Sequence, residues 1–293
     1  MEISNYPQLS QEFILVAQGP GNIGTTSKIT GFLADQHCYI TDLKQYDDRL
    51  SNRFYIRCVF SRQNEVSPST DLISEYFTKV ATEESLVWKI QASNVKMRAV
   101  ILVSRLGHCL NDLLYRQKTG ELKMEVTAVI SNHPDLRKLV EWHNIPYHHL
   151  PIAGDNKASQ ENLIKQIIQS TDSKLVILAR YMQVLSDDLC NHLEGWAINI
   201  HHSFLPGFKG ARPYHQAHDR GVKLIGATAH YVTRDLDDGP IIEQVVDRVD
   251  HTITADRMVS VGRNLECLAL SRAVNAHLER RVFMNGMKTV VFS

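Results

Sequence analysis

The sequence carries no surplus of either charge: 32 Lys and Arg stand against 32 Asp and Glu. A balanced chain has no net attraction to nucleic acid or to an anionic membrane surface, and neither is expected as a partner. Long apolar runs are also missing, and none approaches membrane-spanning length. Residues 1–12 are polar and contain no apolar signal core. The five cysteines, Cys38, Cys58, Cys109, Cys190 and Cys267, are odd in number, scattered, and form no C-x-x-C pair. A disulfide framework or structural zinc site is therefore not expected, and a cytoplasmic, reducing location is. Low-complexity tracts and fixed-period repeats are absent. So are G-x-G-x-x-G and Walker patterns, which removes the usual phosphate-binding fingerprints.

What is present suffices for two domains with sizeable cores. Phe-Ile-Leu-Val-Ala at 13–17 predicts a strand, and a Gly/Pro-rich turn follows over 18–24. Ile29, Phe32 and Leu33 predict a helix over 25–36. A second strand is expected over 38–46. Residues 53–60 alternate, with Phe54, Ile56, Cys58 and Phe60 on one face and Arg53, Tyr55, Arg57 and Val59 on the other. A helix over 68–85 is expected to turn Leu72, Ile73, Tyr76, Phe77 and Val80 inward, and a strand over 86–90 closes the unit. The order β-α-β-β-α-β is the ferredoxin-like pattern.

Residues 1–91 resemble an ACT domain. The resemblance rests on the strand–turn–helix start and on Gly31-Phe32-Leu33 followed by Cys38-Tyr39-Ile40-Thr41-Asp42. It implies a regulatory or oligomerisation module, with an amino-acid effector at Asn22 and Gly24 and a homo-oligomer, dimer or tetramer, as the assembly. The turn departs from the pattern. Many ACT domains carry Asp-Arg-Pro-Gly there, whereas this chain has Gly21-Asn22-Ile23-Gly24, without the acid. A packing module with no ligand is the alternative.

Residues 92–98 are polar and aperiodic and are expected to be a linker. The second domain, 99–293, opens on Ala-Val-Ile-Leu-Val, the mark of a central parallel strand. Further strands are expected over 124–130, 145–150 and 174–179. Helices are expected over 108–117, 134–143 and 162–170, with Leu136, Leu139, Val140 and Trp142 facing inward. The alternation predicts an α/β fold with a mostly parallel sheet. A helix entry follows at 211–217. Residues 226–233 and 241–249 read as an antiparallel pair, 255–279 as a long helix, and 288–292 as a last strand.

One stretch, Ala-Ile-Asn-Ile-His-His-Ser-Phe-Leu-Pro-Gly-Phe-Lys-Gly at 197–210, organises this domain. On a strand, Asn199 and His201 share a face roughly 7 Å apart, and Ile198 and Ile200 take the other. A donor amide beside an imidazole suits acyl-group chemistry, although Asn-x-His alone also fits an ordinary strand end. Residues 234–240, Arg-Asp-Leu-Asp-Asp-Gly-Pro, read first as a turn, with Asp237 a carboxylate available to face His201. Residues 178–185 leave a strand yet stay apolar, as core at a loop or as the wall of a flat heterocycle pocket. His201, His202, His215 and His218 lack the spacing of a helix-borne zinc site, and no metal is expected.

Together, Asn199-x-His201, Ser203-x-Leu205-Pro206 and Leu236-Asp237-x-Gly239-Pro240 resemble the folate-dependent formyltransferase/formyl hydrolase superfamily. Residues 178–185 are similar to its folate-pocket loop. Three details make the chain most similar to the formyltetrahydrofolate deformylases within it. The ACT-like segment comes first. His202 stands where the ribonucleotide enzymes tend to have Pro. Gly107-His108-Cys109-Leu110 replaces a Gly-Ser-Gly-Ser-Asn phosphate loop. The resemblance implies a Rossmann-like formyltransferase fold over 99–293. It implies hydrolysis of 10-formyltetrahydrofolate to formate and tetrahydrofolate, which feeds purine biosynthesis and balances one-carbon folate pools. Transfer of the formyl group to an amine is the alternative. It assigns catalysis to Asn199, His201 and Asp237, and substrate binding to Arg180, Met182, Gln183, Val184, Leu185, His202, Asp235 and Leu236. No cofactor is implied, because folate is the substrate.

Overall fold

The structure, a computed structural model, describes residues 11–63, 67–154, 156–207 and 213–293. Residues 1–10, the end of the organising stretch at 208–210 and the helix entry at 211–212 lie outside the described residues. The chain divides into two compact units.

The first unit takes Met1–Val95 together with Glu279–Phe283 and Phe292–Ser293. Strands β1 (Glu12–Pro20), β2 (Cys38–Asp48), β3 (Arg53–Arg62) and β4 (Val87–Ala92) pair antiparallel in the order β2-β3-β1-β4. Helices α1 (Thr25–Asp35) and α2 (Thr70–Glu83) complete the β-α-β-β-α-β order. Ile29, Leu33, Ile73 and Phe77 from the helices meet Leu15, Phe54, Ile56 and Phe60 from the sheet in one core. Strand β1 outlasts its apolar run because its ladder with β3 continues to Pro20 opposite Arg53.

Two burial patterns differ from expectation. On α2, Ile73, Phe77 and Ala81 are buried at a strict i, i+4 spacing, and Leu72 and Tyr76 face solvent. Strand β3 is buried on both faces from Phe54 to Phe60. Its second face is covered by the returning end of the chain. The Tyr55 ring meets Phe283 edge-on at 5.6 Å, and Arg57 Nε donates to the Glu279 carbonyl at 2.9 Å. Gly24 begins α1 at φ +86°, a conformation that suits glycine. Beside it, the Thr25 hydroxyl donates to the buried Glu84 carboxylate at 2.6 Å, and Lys28 pairs with the other oxygen.

The second unit takes Lys96–Leu278 and Met284–Val291. The expected linker shrinks to residues 93–96. Ala92 closes β4, while Met97 and Arg98 open β5 (Met97–Val103). Arg98 reads as linker because it is polar, yet its Nε donates to the Thr171 carbonyl at 2.8 Å. With β6 (Met124–Ser131), β7 (Tyr147–His149), β8 (Leu175–Leu178), β9 (Ala197–His201), β10 (Leu224–Tyr231) and β11 (Ile241–Arg248), β5 forms one sheet in the order β11-β10-β9-β8-β5-β6-β7. The strands from β7 to β9 in that order run parallel, and β10 and β11 run antiparallel. Val100, Ile101, Leu102, Val176 and Ile177 are fully buried, as strands covered on both faces require.

The helices are α3 (His108–Thr119), α4 (Arg137–Trp142), α5 (Lys157–Ser170), α6 (Asp187–His192), α7 (Pro213–Asp219) and α8 (Ala255–Leu278). Trp142 is exposed rather than inward, with Lys118 Nζ 4.4 Å from its ring centre. Only Val140 of α4 is buried. A hairpin of β12 (Val282–Asn285) and β13 (Lys288–Val291) follows α8. Helix α6 and strand β12 were not expected, and both are too short to show a period.

Candidate active site

Strand β9 lies between β8, parallel to it, and β10, antiparallel to it. Ile198 and Ile200 are buried, which leaves Asn199 and His201 on the opposite face. The loop that follows is tied down by Thr228, whose hydroxyl donates to the Ser203 carbonyl at 2.9 Å and accepts from Leu205 N at 3.1 Å.

Asp237 comes from the β10–β11 connection, which folds back on its own strand. Tyr231 N donates to the Pro240 carbonyl at 2.9 Å. A Cβ on Gly239 would lie 1.8 Å from the Tyr231 carbonyl oxygen, so no other residue fits without moving the loop. Asp237 itself sits at φ +55°, in the left-handed region that non-glycine residues seldom occupy. The fold-back brings Asp237 Oδ2 within 3.1 Å of His201 Nδ1. Oδ1 accepts from Asn199 Nδ2 at 3.4 Å. Burial pushes the Asp237 carboxyl up. The hydrogen bond from His201 and the neighbouring His230 ring, with the charge that both carry when protonated, outweigh that and hold it well below the usual carboxylate range.

His201 is 4 % exposed, and its Nε2 is buried without a protein partner among the described residues. Since Nδ1 faces a carboxylate, Nδ1 carries the hydrogen, and Nε2 is the position left to take or give a proton. The next residue, His202, sets its ring edge-on to His201 at 5.0 Å. Burial, then the charges of Arg180 and His201, lower its pKa to about 4, so it is neutral at neutral pH.

These groups open into a cleft of about 250 Å³. Arg180, Met182, Gln183, Val184 and Leu185 line it from the segment after β8, and Asp235 and Leu236 line it from the β10–β11 loop. Every residue singled out in the sequence as catalytic or substrate-binding is therefore at one cleft. Met182, Val184 and Leu236 are large apolar side chains left more than half exposed, as the walls of a ligand site are. The first wall is held by Ser104, whose hydroxyl accepts from Met182 N at 3.0 Å and donates to Asn132 at 2.7 Å. Asn22 and Gly24 belong to the first unit and stand at the start of α1.

The sequence did not disclose His230. It is buried opposite Asn199 in the β9–β10 register, with Nε2 3.3 Å from Asn199 Nδ2. Nor did it disclose the buried carboxylate Glu266, on α8. His108 Nε2 meets Glu266 Oε2 at 2.7 Å, and the Tyr214 hydroxyl donates to Oε1 at 3.2 Å. Arg180 Nε lies 3.3 Å from Oε2 without the alignment of a hydrogen bond. Burial raises the Glu266 carboxyl, but the His108 hydrogen bond and the Arg180 charge bring it below its ordinary value. His108, Cys109 and Glu266 are the one group among the described residues whose donor atoms converge as metal ligands do, and Arg180 already supplies a cation there.

An amide donor and a carboxylate-oriented imidazole at the end of a buried strand are the parts of an enzyme that works at an acyl carbon. The model of the formyl transferase family matches residues 97–274. A curated relative, the formyltetrahydrofolate deformylase of Corynebacterium sp. (strain P-1), is 49 % identical over 278 residues, covering 95 % of this chain and 97 % of its own. The crystal structure of formyltetrahydrofolate deformylase from Burkholderia mallei superposes with a TM-score of 0.92 at 49 % identity, covering 97 % of this chain and all of that one. That of Pseudomonas syringae gives 0.94 at 45 %, covering 98 % and 96 %. The chain belongs to the formyltetrahydrofolate deformylases, within the formyl transferase family. Among the described residues, no helix is long and apolar enough to cross a membrane.

Proposed function

We propose that this protein hydrolyses 10-formyltetrahydrofolate to formate and tetrahydrofolate, with Asn199, His201 and Asp237 as its catalytic residues. The observation that carries the reading is the buried His201 Nε2, oriented by Asp237 and set beside Asn199 in the cleft. Asp237 fixes the tautomer and compensates the imidazolium that forms. Nε2 takes a proton as water oxygen bonds to the formyl carbon. The carbonyl pair moves onto oxygen, and an Asn199 N–H stabilises it, an interaction worth about 3 kcal/mol. His201 then returns the proton to N10, the oxyanion pair re-forms the carbonyl as the C–N10 bond breaks with its pair on nitrogen, and formic acid leaves and ionises to formate. The residues at 180, 182–185, 202, 235 and 236 line the space for the folate. The chemistry asks for no cofactor. Formate and free tetrahydrofolate serve purine synthesis and the folate pool in the cytoplasm.

Transfer to an amine needs a second-substrate site. At the head of α3, the place of a phosphate loop, His108 is instead engaged by Glu266. For the first unit we infer packing and homo-oligomer formation rather than effector binding, because Glu84, a buried carboxylate at the start of α1, is already held by Thr25 and Lys28. Free amino acids should leave the melting temperature unchanged, and light scattering should report a dimer or tetramer.

The central test uses 10-formyltetrahydrofolate and no amine. Catalytic release of formate and tetrahydrofolate in equal amounts is expected. Release that requires an added amine would overturn the hydrolase reading. Asn199→Ala and Asp237→Ala should lose most turnover while staying folded.

A further inference from the structure

Asn199 has two amide hydrogens, and both are committed. Its Nδ2 lies 3.3 Å from His230 Nε2 and 3.4 Å from Asp237 Oδ1. An oxyanion forming in the cleft meets a donor with no hydrogen to give until one of those bonds is released. Asp237 is the poorer partner to release, because an ionised carboxylate accepts more strongly than an imidazole nitrogen. His230 differs, because its acceptor vanishes when it takes a proton. His230 Nδ1 is 2.9 Å from the Tyr231 carbonyl oxygen. A carbonyl oxygen only accepts, so Nδ1 carries a hydrogen in the neutral and the charged ring alike. Nε2 is thus the position open to a second proton. Bare, it accepts from Asn199. Protonated, it is a donor that cannot hold Nδ2–H, and it has Asp237 Oδ1 3.7 Å away.

We propose that His230 is a positioning residue for this reaction: a proton on Nε2 shifts its contact from Asn199 to Asp237 and frees one Asn199 N–H for the oxyanion. The inference rests on the reading of Asn199 as the oxyanion donor. The proton enters from solvent before turnover and stays on His230 throughout, so none is consumed. The groups around His230 fit this use. Asp237 faces it from the β10–β11 loop, and His201 of β9 shares that carboxylate. Gly239 brings backbone close to Nδ1 but no side chain. Strand β11 offers Glu243, opposite Ala229, whose carboxylate takes the Gln244 N–H. Helix α8 offers His277, which is bonded to the Tyr231 hydroxyl at 2.8 Å.

The test is the pH profile of kcat in wild type and His230→Asn. The shorter amide can still donate to the Tyr231 carbonyl but places no group at Nε2. Wild type should show an acid limb, from the need for bare His201 Nε2, and an alkaline limb falling about tenfold per pH unit as His230 loses its proton. His230→Asn should keep the acid limb and lose the alkaline one. An alkaline limb unchanged in His230→Asn would overturn the proposal. If that variant proves inactive, ¹⁵N-histidine NMR of the wild type decides. His230 Nε2 should be bare in the free enzyme at high pH and protonated at the same pH with a hydrolysis-resistant formyl analogue of the folate bound. A bare Nε2 in both states would overturn the proposal. Full activity in Asn199→Ala would remove the underlying reading instead.

Discussion

At the scale of single residues, the site depends on two carboxylates with different work, one half-buried and one buried. Asp237 touches the chemistry through His201. Replacing it by Asn keeps the shape and removes the charge that steadies the imidazolium, so Asp237→Asn should lower kcat by at least about 10²-fold with little change in KM, measured by formate release. The same variant has a signature in stability. A carboxyl whose folded-state pKa is depressed contributes stability above its unfolded value, about 4, and loses it as pH falls through the folded value. Asp237 is depressed in this way by His201 and His230. Urea midpoints taken from pH 2 to pH 7 should therefore fall less steeply below about pH 4 in Asp237→Asn than in wild type. Glu266 is structural by contrast. Glu266→Gln leaves the buried Arg180 without its counter-charge and should destabilise the second unit by about 3 kcal/mol, read from urea unfolding at neutral pH.

At the scale of elements, what the sequence discloses is what lies close along the chain. Asn199 and His201 are two residues apart on one strand, so alternation alone puts them on one face. The apolar run after β8 names its own wall of the cleft. Asp237 is harder, since its arrival at His201 depends on a connection that folds back over β10. His230 is harder still, because its meeting with Asn199 is set by the β9–β10 register, which one strand's pattern does not contain. The same limit explains β3, whose second face reads as polar around Arg57 until the distant Glu279 and Phe283 cover it. The fold-back makes its own prediction. Gly239→Ala sets a methyl against the Tyr231 carbonyl, so the loop must lift and Asp237 must leave His201. Turnover should drop by about 10²-fold or more, while far-UV circular dichroism stays native.

At the scale of the whole molecule, the boundary between units is not one cut in the chain. Residues 279–283 and 292–293 belong with the segment that precedes Val95. A chain ending at Leu278 should uncover Tyr55 and Arg57 on β3, bind a hydrophobic dye and unfold in calorimetry at a lower temperature than the 293-residue chain. The arrangement also sets an order in time. A ribosome reaches Val95 early and Glu279 only after more than half of the chain has followed, roughly ten to forty seconds later at about 5–20 residues per second. During that interval the first sheet has its helices but lacks the cover on its other side. The unit whose strands are made before those of the other is thus closed after them, and a nascent chain is most exposed to chaperones and proteases at a face that the folded one keeps covered.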